Sequence, residues 1–589
     1  MAAYEFPTSF GQRQMWLLAQ VDSDEPTYNI AWALWLDGAL DVSALRRAWN
    51  AALARHEALR TTFRNESGVP VQVIEDEPPA PSLPVTSVQF GEGEFGEGEI
   101  GEGEQESAAL ALISDLAKAP IDLAAGPLAR AALVRLSADA HVLAVVMHHI
   151  VADGWSLRIL SDELSADYEA ISRGADPVAA EPPIQYADFA IWQIEHAESG
   201  GYAAAERFWR AELADAQPAL ALPTDEPYPV NQTFAARHID TTIDAKLADG
   251  LRQLAARLGT TRFAVLLAAY AVVLSRLTGA CDLLIAVPMA ARTRPETESV
   301  VGLFMNTVPI RIQIDAAATL GDLVRSVHNA TARALAHQEL PFAKVVELVR
   351  PDRDPARLPL VQVSFAMEEP SVIEDRGGLR WRSELMDTGT AKFEIELKVT
   401  DGPTDPQVRL NYNCDLFHPA TAQLVADGFT AILRCLSDDP GRVVADAEIM
   451  SPETLALVTR VWPDGGQVAD PDATAVAQLW AACDGDSVVA IGSDGALTGA
   501  DVRNLAMAIA AALGGHGVGV SDRVAILLPR GPSILAAILG IWTIGASYVP
   551  LDPIYPPQRL TTMLADSGAA AIVVDTSAPD APQPPANAT

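Results

Sequence analysis

The sequence predicts an α/β protein of two or more domains, and three observations carry that reading. At 589 residues the chain exceeds what a single hydrophobic core usually organises. Short β-branched apolar runs, such as His141-Val-Leu-Ala-Val-Val146, alternate with stretches of helical period. Trp155 to Ala170 is such a stretch, with Leu157, Leu160, Leu164 and Tyr168 on one face. Past Pro452 the character changes, and a new set of helix and strand patterns begins near Leu497.

Taken in order, Gln12 to Gln20 starts near the surface, and Asn29 to Leu36 alternates as a strand does. Asp41 caps a helix carrying Leu45, Trp49, Ala52 and Leu53 on one side, and Arg55 to Phe63 closes it. Gly91 to Glu104 is an acidic, glycine-rich repeat with too little apolar surface to offset its backbone entropy, so a solvated mobile loop is expected. Tyr186 to Trp192 begins another helix, and residues 230–440 again mix the two patterns. There Arg262 to Leu274 reads as a buried helix too short to cross a bilayer. Leu283 to Pro288 reads as a strand leading into Arg292 and Arg294.

Leu497 to Leu513 is helical, Gly514 to Gly519 a turn, and Arg523 to Leu528 a strand. A dinucleotide loop follows a strand and opens a helix, whereas these glycines follow a helix, so that reading is rejected. Gly531 to Leu551 is uncharged, but Pro532 suits a helix start and Ala546 to Pro550 a strand, so no membrane span is expected. Residues 577–589 read as a frayed end.

Hydrophobic residues make up 49% of the chain, which is globular rather than disordered. The net charge of −36 argues against nucleic acid as a partner. Cys281, Cys414, Cys435 and Cys483 are scattered without metal spacing, which suits a reduced, cytoplasmic setting. No signal peptide is read at the start.

The chemistry concentrates at Met147-His148-His149-Ile150-Val151-Ala152-Asp153-Gly154-Trp155-Ser156. A strand delivers two adjacent histidines, only one of which can face a given cavity, and Gly154 permits the turn that follows. A neutral imidazole there can take a proton from an amine or hydroxyl attacking an acyl group. Asp153 can orient that ring, or pair with an arginine and hold the turn. Zinc needs a third ligand, and none stands nearby at the usual spacing. The plain alternative is a pair of satisfied core histidines.

The ordered set of segments resembles the condensation domain of nonribosomal peptide synthetases. The resemblance rests on Ser9-Phe-Gly-Gln-Arg-Gln-Met-Trp-Leu17, Arg55-His-Glu-Ala-Leu-Arg-Thr-Thr-Phe63, the double-histidine stretch, Tyr186 to Trp192 and Val301-Gly-Leu-Phe-Met-Asn-Thr-Val-Pro-Ile-Arg311. His337-Gln-Glu-Leu-Pro-Phe342 and Arg353 to Gln362 complete it. It implies two chloramphenicol-acetyltransferase-like lobes in a V-shaped pseudo-dimer, residues 1–178 and 179–445, with an active-site tunnel between them. A linker at 446–470 then leads to residues 471–576, which are similar to the start of an adenylation domain through Ile541 to Pro553. The phosphate loop and catalytic lysine of that family are not reached, so no adenylation activity is expected.

By the same resemblance the chain is an acyltransferase forming a peptide bond between two thioesters. Each thioester rides on the 4'-phosphopantetheine arm of a carrier protein, donor upstream and acceptor downstream. No bound cofactor or metal, no membrane and a monomeric state are expected. Within the motif His149 projects into a solvated tunnel, His148 is structural, and Asp153 with Gly154 completes the catalytic stretch. Asp153 is expected to pair with Arg292, although Ala291 stands where the family usually has glycine. Ser156 and Asn306 are expected to line the tunnel.

Arg55 to Phe63 looks like the type that takes an L-configured donor end. An epimerisation domain shares the histidine motif but should not lead directly into adenylation, and a heterocyclisation domain would replace the histidines with aspartates. The alternatives kept are a noncatalytic module docking carrier proteins or a tailoring enzyme, a starter domain for a fatty acyl group, and an ester-forming domain.

Overall fold

The computed structural model describes residues 3–21, 26–76, 83–87, 102–216, 219–229, 233–350, 357–371, 373–402, 405–450, 454–456, 474–492 and 495–575. Two compact units divide the chain, Met1–Ala456 and Leu457–Thr589.

In the first unit, one six-stranded sheet runs in the order Ile373–Arg376, Leu379–Met386, Asn29–Asp37, Ala140–His148, Ala129–Arg135, Val85–Ser87. Asn29–Asp37 is a strand, as its alternation predicts, yet every residue from Asn29 to Leu36 is buried. Both faces are covered. Trp32, Leu34 and Leu36 pack beneath helices Val42–Arg55 and Gly154–Ser172. Ala33 and Trp35 join a second apolar cluster with Ile113 of helix Glu102–Lys118. The Asp41 cap is in place, its carboxylate accepting from the Ser43 and Ala44 amides.

The second six-stranded sheet runs Asn306–Gln313, Asp282–Met289, Val363–Glu368, Ile395–Thr400, Gln407–Asn413, Ala236–Thr242. Val363–Glu368 is parallel to both neighbours, and the other pairs are antiparallel. Helices Ala245–Leu258, Arg262–Thr278, Leu320–Leu335 and Pro419–Asp438 share its core. No single described helix is long and apolar enough to cross a membrane; Ala245–Leu258 and Arg262–Thr278 pass only as a pair, bent by 105°.

The two sheets do not divide at residue 178. Leu379–Met386 pairs antiparallel with Asn29–Asp37, so the later part of the chain supplies two strands to the first sheet. The Trp32 and Trp35 indoles fasten this crossing by donating to Ser383 Oγ at 2.8 Å and Glu384 Oε2 at 3.0 Å.

Several local readings change. Gln12 to Gln20 belongs to helix Phe10–Val21, and Trp16 is buried because it packs against Phe63 and Leu303 rather than solvent. The acidic repeat lies outside the described residues up to residue 101, but Glu102 to Glu104 open a helix. The end at 577–589 also lies outside them.

In the second unit, three parallel strands run in the order Ser547–Pro550, Arg523–Leu527, Ala571–Val574. The uncharged Gly531 to Leu551 stretch is helix Ser533–Thr543 followed by strand Ser547–Pro550. Leu497 lies in strand Gly495–Thr498 instead of starting a helix, because Thr498 is the cap of Gly499–Gly515 in a reciprocal pair with Asp501.

Candidate active site

Strand Ala140–His148 is buried from His141 onward and ends in register with Asn29. The His148 amide donates to the Leu128 carbonyl at 2.9 Å and the His149 amide to the Tyr28 carbonyl at 2.8 Å, so the backbone of both histidines is fixed. His148 Nδ1 accepts the Ile150 amide at 3.1 Å, which leaves the proton of the neutral ring on Nε2. Burial, helped by the Lys392 charge, pushes the His148 imidazole down to about 4.

His149 is 6% exposed, so the solvated setting expected for it is corrected: the ring is packed among protein groups. Its Nδ1 is buried and makes no hydrogen bond among the described residues. Burial first, and then the Lys392 charge, holds this imidazole well below its usual range, against an opposing pull from the His149 and Ala152 backbone. At neutral pH both rings are uncharged. This is the state that can accept a proton.

Four residues after His149, Asp153 caps helix Gly154–Ser172 in a reciprocal pair with Ser156. Its Oδ1 accepts from the Ser156 amide at 2.9 Å, Ser156 Oγ at 2.7 Å and Arg292 Nη2 at 3.1 Å. Its Oδ2 accepts from the Phe304 and Met305 amides at 3.0 and 3.2 Å. Arg292 Nη1 reaches the Thr297 carbonyl and, at 2.7 Å, the Val300 carbonyl. The guanidinium lies 4.1 Å from the Phe304 ring centroid. Both side chains of this ion pair are only 2% exposed. Burial pulls the Arg292 pKa down while the Asp153 charge opposes it.

The ion pair thus latches the histidine turn onto the segment running into strand Asn306–Gln313. Ala291 beside it has φ 50°, a left-handed conformation that costs an alanine about 1–2 kcal/mol and a glycine nothing.

The remaining sequence candidates fall in different places. Gly154 is exposed, and a Cβ there would meet nothing within 4 Å. Ser156 does not line a tunnel: it is fully buried, tied to Asp153, and takes the Gly302 amide at 3.1 Å. Asn306 lines a cavity of about 110 Å³ with Phe189, Trp192, Phe304 and Phe342, but its amide is committed to the Gln338 and Leu340 carbonyls. His149 is not among the walls of that cavity.

Arg55 and His56 stand apart in a buried network, Arg55 bonded to Glu163 at 2.6 Å and Asp167 at 2.8 Å, and His56 Nε2 to Glu163 at 2.8 Å. Two residues that the sequence reading missed join the histidines: Tyr28, through its carbonyl, and Lys392, through its charge. Among the described residues no group of three or more His, Cys, Asp or Glu side chains is placed to hold a metal ion.

Comparison with known proteins adds an independent line. The condensation domain family matches residues 3–458, and the AMP-binding enzyme family matches residues 471–588. A linear gramicidin synthase of Brevibacillus parabrevis is 34% identical over 568 residues, covering 95% of this chain and 7% of that protein. Chondramide synthase cmdD of Chondromyces crocatus is 34% identical over 585 residues, covering 96% of this chain and 14% of its own length.

This chain therefore spans a small fraction of these relatives. Among solved structures, a holo four-domain nonribosomal peptide synthetase bound to AMP and glycine superposes with a TM-score of 0.69 at 23% identity. That match covers 98% of this chain and 44% of the other. The X-domain from teicoplanin biosynthesis, in its complex with OxyB, gives 0.66 at 27% identity over 77% of this chain and 97% of that one.

Proposed function

This chain belongs to the condensation-domain family of nonribosomal peptide synthetases, and from that premise we propose that it joins two carrier-bound thioesters by an amide bond. One observation above the others supports this reading: a buried, neutral His149 imidazole stands four residues before a carboxylate latched to Arg292.

The acceptor α-amine attacks the carbonyl carbon of the donor thioester, forming the C–N bond and moving an electron pair onto oxygen. Collapse of the tetrahedral intermediate breaks the C–S bond, and the departing thiolate takes up the proton lost by nitrogen. An α-amine with a pKa near 7.7–8.0 needs only about 1 kcal/mol to be neutral at pH 7. His149 therefore serves by holding the amine against the carbonyl or by removing the proton from the intermediate.

Donor and acceptor arrive on phosphopantetheine arms of an upstream and a downstream carrier protein. The resemblance of Arg55 to Phe63 to the L-donor type supports an L-configured donor end. A second reading, docking without catalysis, draws on the likeness to the X-domain, whose structure is a complex with OxyB.

The test is mass spectrometry of products from two loaded carrier proteins. Wild type should give the amide, and His149→Ala should lower its formation by about 100-fold or more while the protein stays folded. Product formation by His149→Ala at the wild-type rate would remove catalysis from that residue. Tight carrier binding with no product from wild type would favour docking.

A further inference from the structure

Lys392 lies just before strand Ile395–Thr400 of the second sheet, and its ammonium reaches toward Tyr28, the residue before strand Asn29–Asp37 of the first. Its ammonium is 5.6 Å from the centre of the Tyr28 ring. That ring stands 6.4 Å from the His148 ring, and the Tyr28 carbonyl holds the His149 amide. Among the described residues Lys392 has no ion pair or hydrogen bond. Glu396, the carboxylate behind it, is engaged by Lys398 at 3.3 Å and Asn411 at 2.8 Å. Lys392 is thus a half-buried cation whose facing carboxylate, Glu396, is shared with Lys398, and its ammonium stands over the Tyr28 ring beside the histidine turn.

We propose that Lys392 is a positioning residue for the condensation, its ammonium resting on the Tyr28 ring, which stands beside the His148 ring and holds the His149 amide through its carbonyl. The inference rests on the role given to His149 above. The charged group facing both rings is Lys392, with Glu396 and Lys398 behind it. A fixed cation raises the free energy of protonating either imidazole, so His149 meets the acceptor amine with a free lone pair. The same charge favours the negative oxygen of the tetrahedral intermediate, and it leaves His149 to hold the amine rather than to keep its proton.

Lys392 carries this charge through neutral pH. Burial lowers its pKa to about 8, with Glu396 opposing, so roughly nine in ten molecules are charged at pH 7. Above pH 8 the charge is lost.

The experiment follows the histidine ring signals by NMR during a pH titration of the full chain, in wild type, Lys392→Met and Lys392→Arg. In Lys392→Met the midpoints of His148 and His149 should rise by about half a unit or more, and Lys392→Arg should restore them. The acid limb of the pH–rate profile for amide formation should move the same way. Unchanged midpoints in a folded Lys392→Met would overturn the proposal, and so would a lowered melting temperature with the wild-type profile.

Should Lys392→Met fail to fold, the wild-type rings alone report on it. Their shifts must respond to the discharge of Lys392 near pH 8, and flat signals there would count against it. The titration needs no turnover. An active His149→Ala would thus unseat the proposed function without touching this measurement.

Discussion

A carboxylate taken out of water is tolerated only when its lone pairs are used, and Asp153 uses three donors on Oδ1 and two on Oδ2. Asp153→Ala strands the Arg292 guanidinium and leaves the Ser156, Phe304 and Met305 amides short of an acceptor. We expect a loss on the order of 3–5 kcal/mol, read as a clearly lowered melting temperature. Arg292→Ala should cost less, because four of the five donors to Asp153 remain and the Thr297 and Val300 carbonyls lose only one partner. The double variant should recover part of the Asp153→Ala loss, since no lone charge is left buried. Calorimetric melts of the four proteins measure this, and a wild-type melting temperature for Asp153→Ala would refute the latch. His149→Ala removes a neutral ring and strands no charge, so its loss should be confined mainly to activity.

At the scale of elements, the latch works because Val301 to Met305 approaches the start of helix Gly154–Ser172 closely. Gly302 makes that approach possible: a Cβ there would overlap the Tyr186 ring. Tyr186 cannot readily move aside, since its hydroxyl donates to the Leu303 carbonyl at 2.6 Å and sits 2.8 Å from Ser9 Oγ. Gly302→Ala should therefore destabilise by about 1–3 kcal/mol and reduce amide formation, because the Phe304 and Met305 amides shift away from Asp153. A denaturant midpoint equal to wild type would show that the ring yields. What is legible without the structure is local in sequence: the strand ending at His148, the Asp41 cap and the helix after Gly154 each follow from neighbours within a few residues. The Asp153 cap is equally legible, as an aspartate three residues before Ser156, but the motif suggests ring orientation or an ion pair for that carboxylate before it suggests a cap. Arg292 can be named only through resemblance, because 139 residues separate it from Asp153. Tyr28 and Lys392 leave no local signal at all, for their proximity arises from two sheets meeting.

For the whole molecule, the crossing of Leu379–Met386 into the first sheet decides what can fold alone. Cutting after residue 178 would expose the edge of Asn29–Asp37 along the full register from Ala31 to Asp37. It would also uncover Trp32 and Trp35, which the crossing strand now helps to bury, and leave their indole N–H groups without Ser383 and Glu384. Arg292, the partner of Asp153, would be lost as well. A fragment of residues 1–178 should thus be insoluble or partly unfolded, with an exposed strand edge that favours aggregation. Residues 1–456 are different: they hold both sheets and the latch, and they form a compact unit. That fragment should be soluble, melt cooperatively and form the amide from two loaded carriers at a rate near that of the full chain. Circular dichroism melts of the two fragments beside the carrier assay test this directly. A cooperative, monomeric 1–178 would show that the crossing strands are dispensable to the first sheet, and an inactive but folded 1–456 would assign residues 457–589 a part in the reaction.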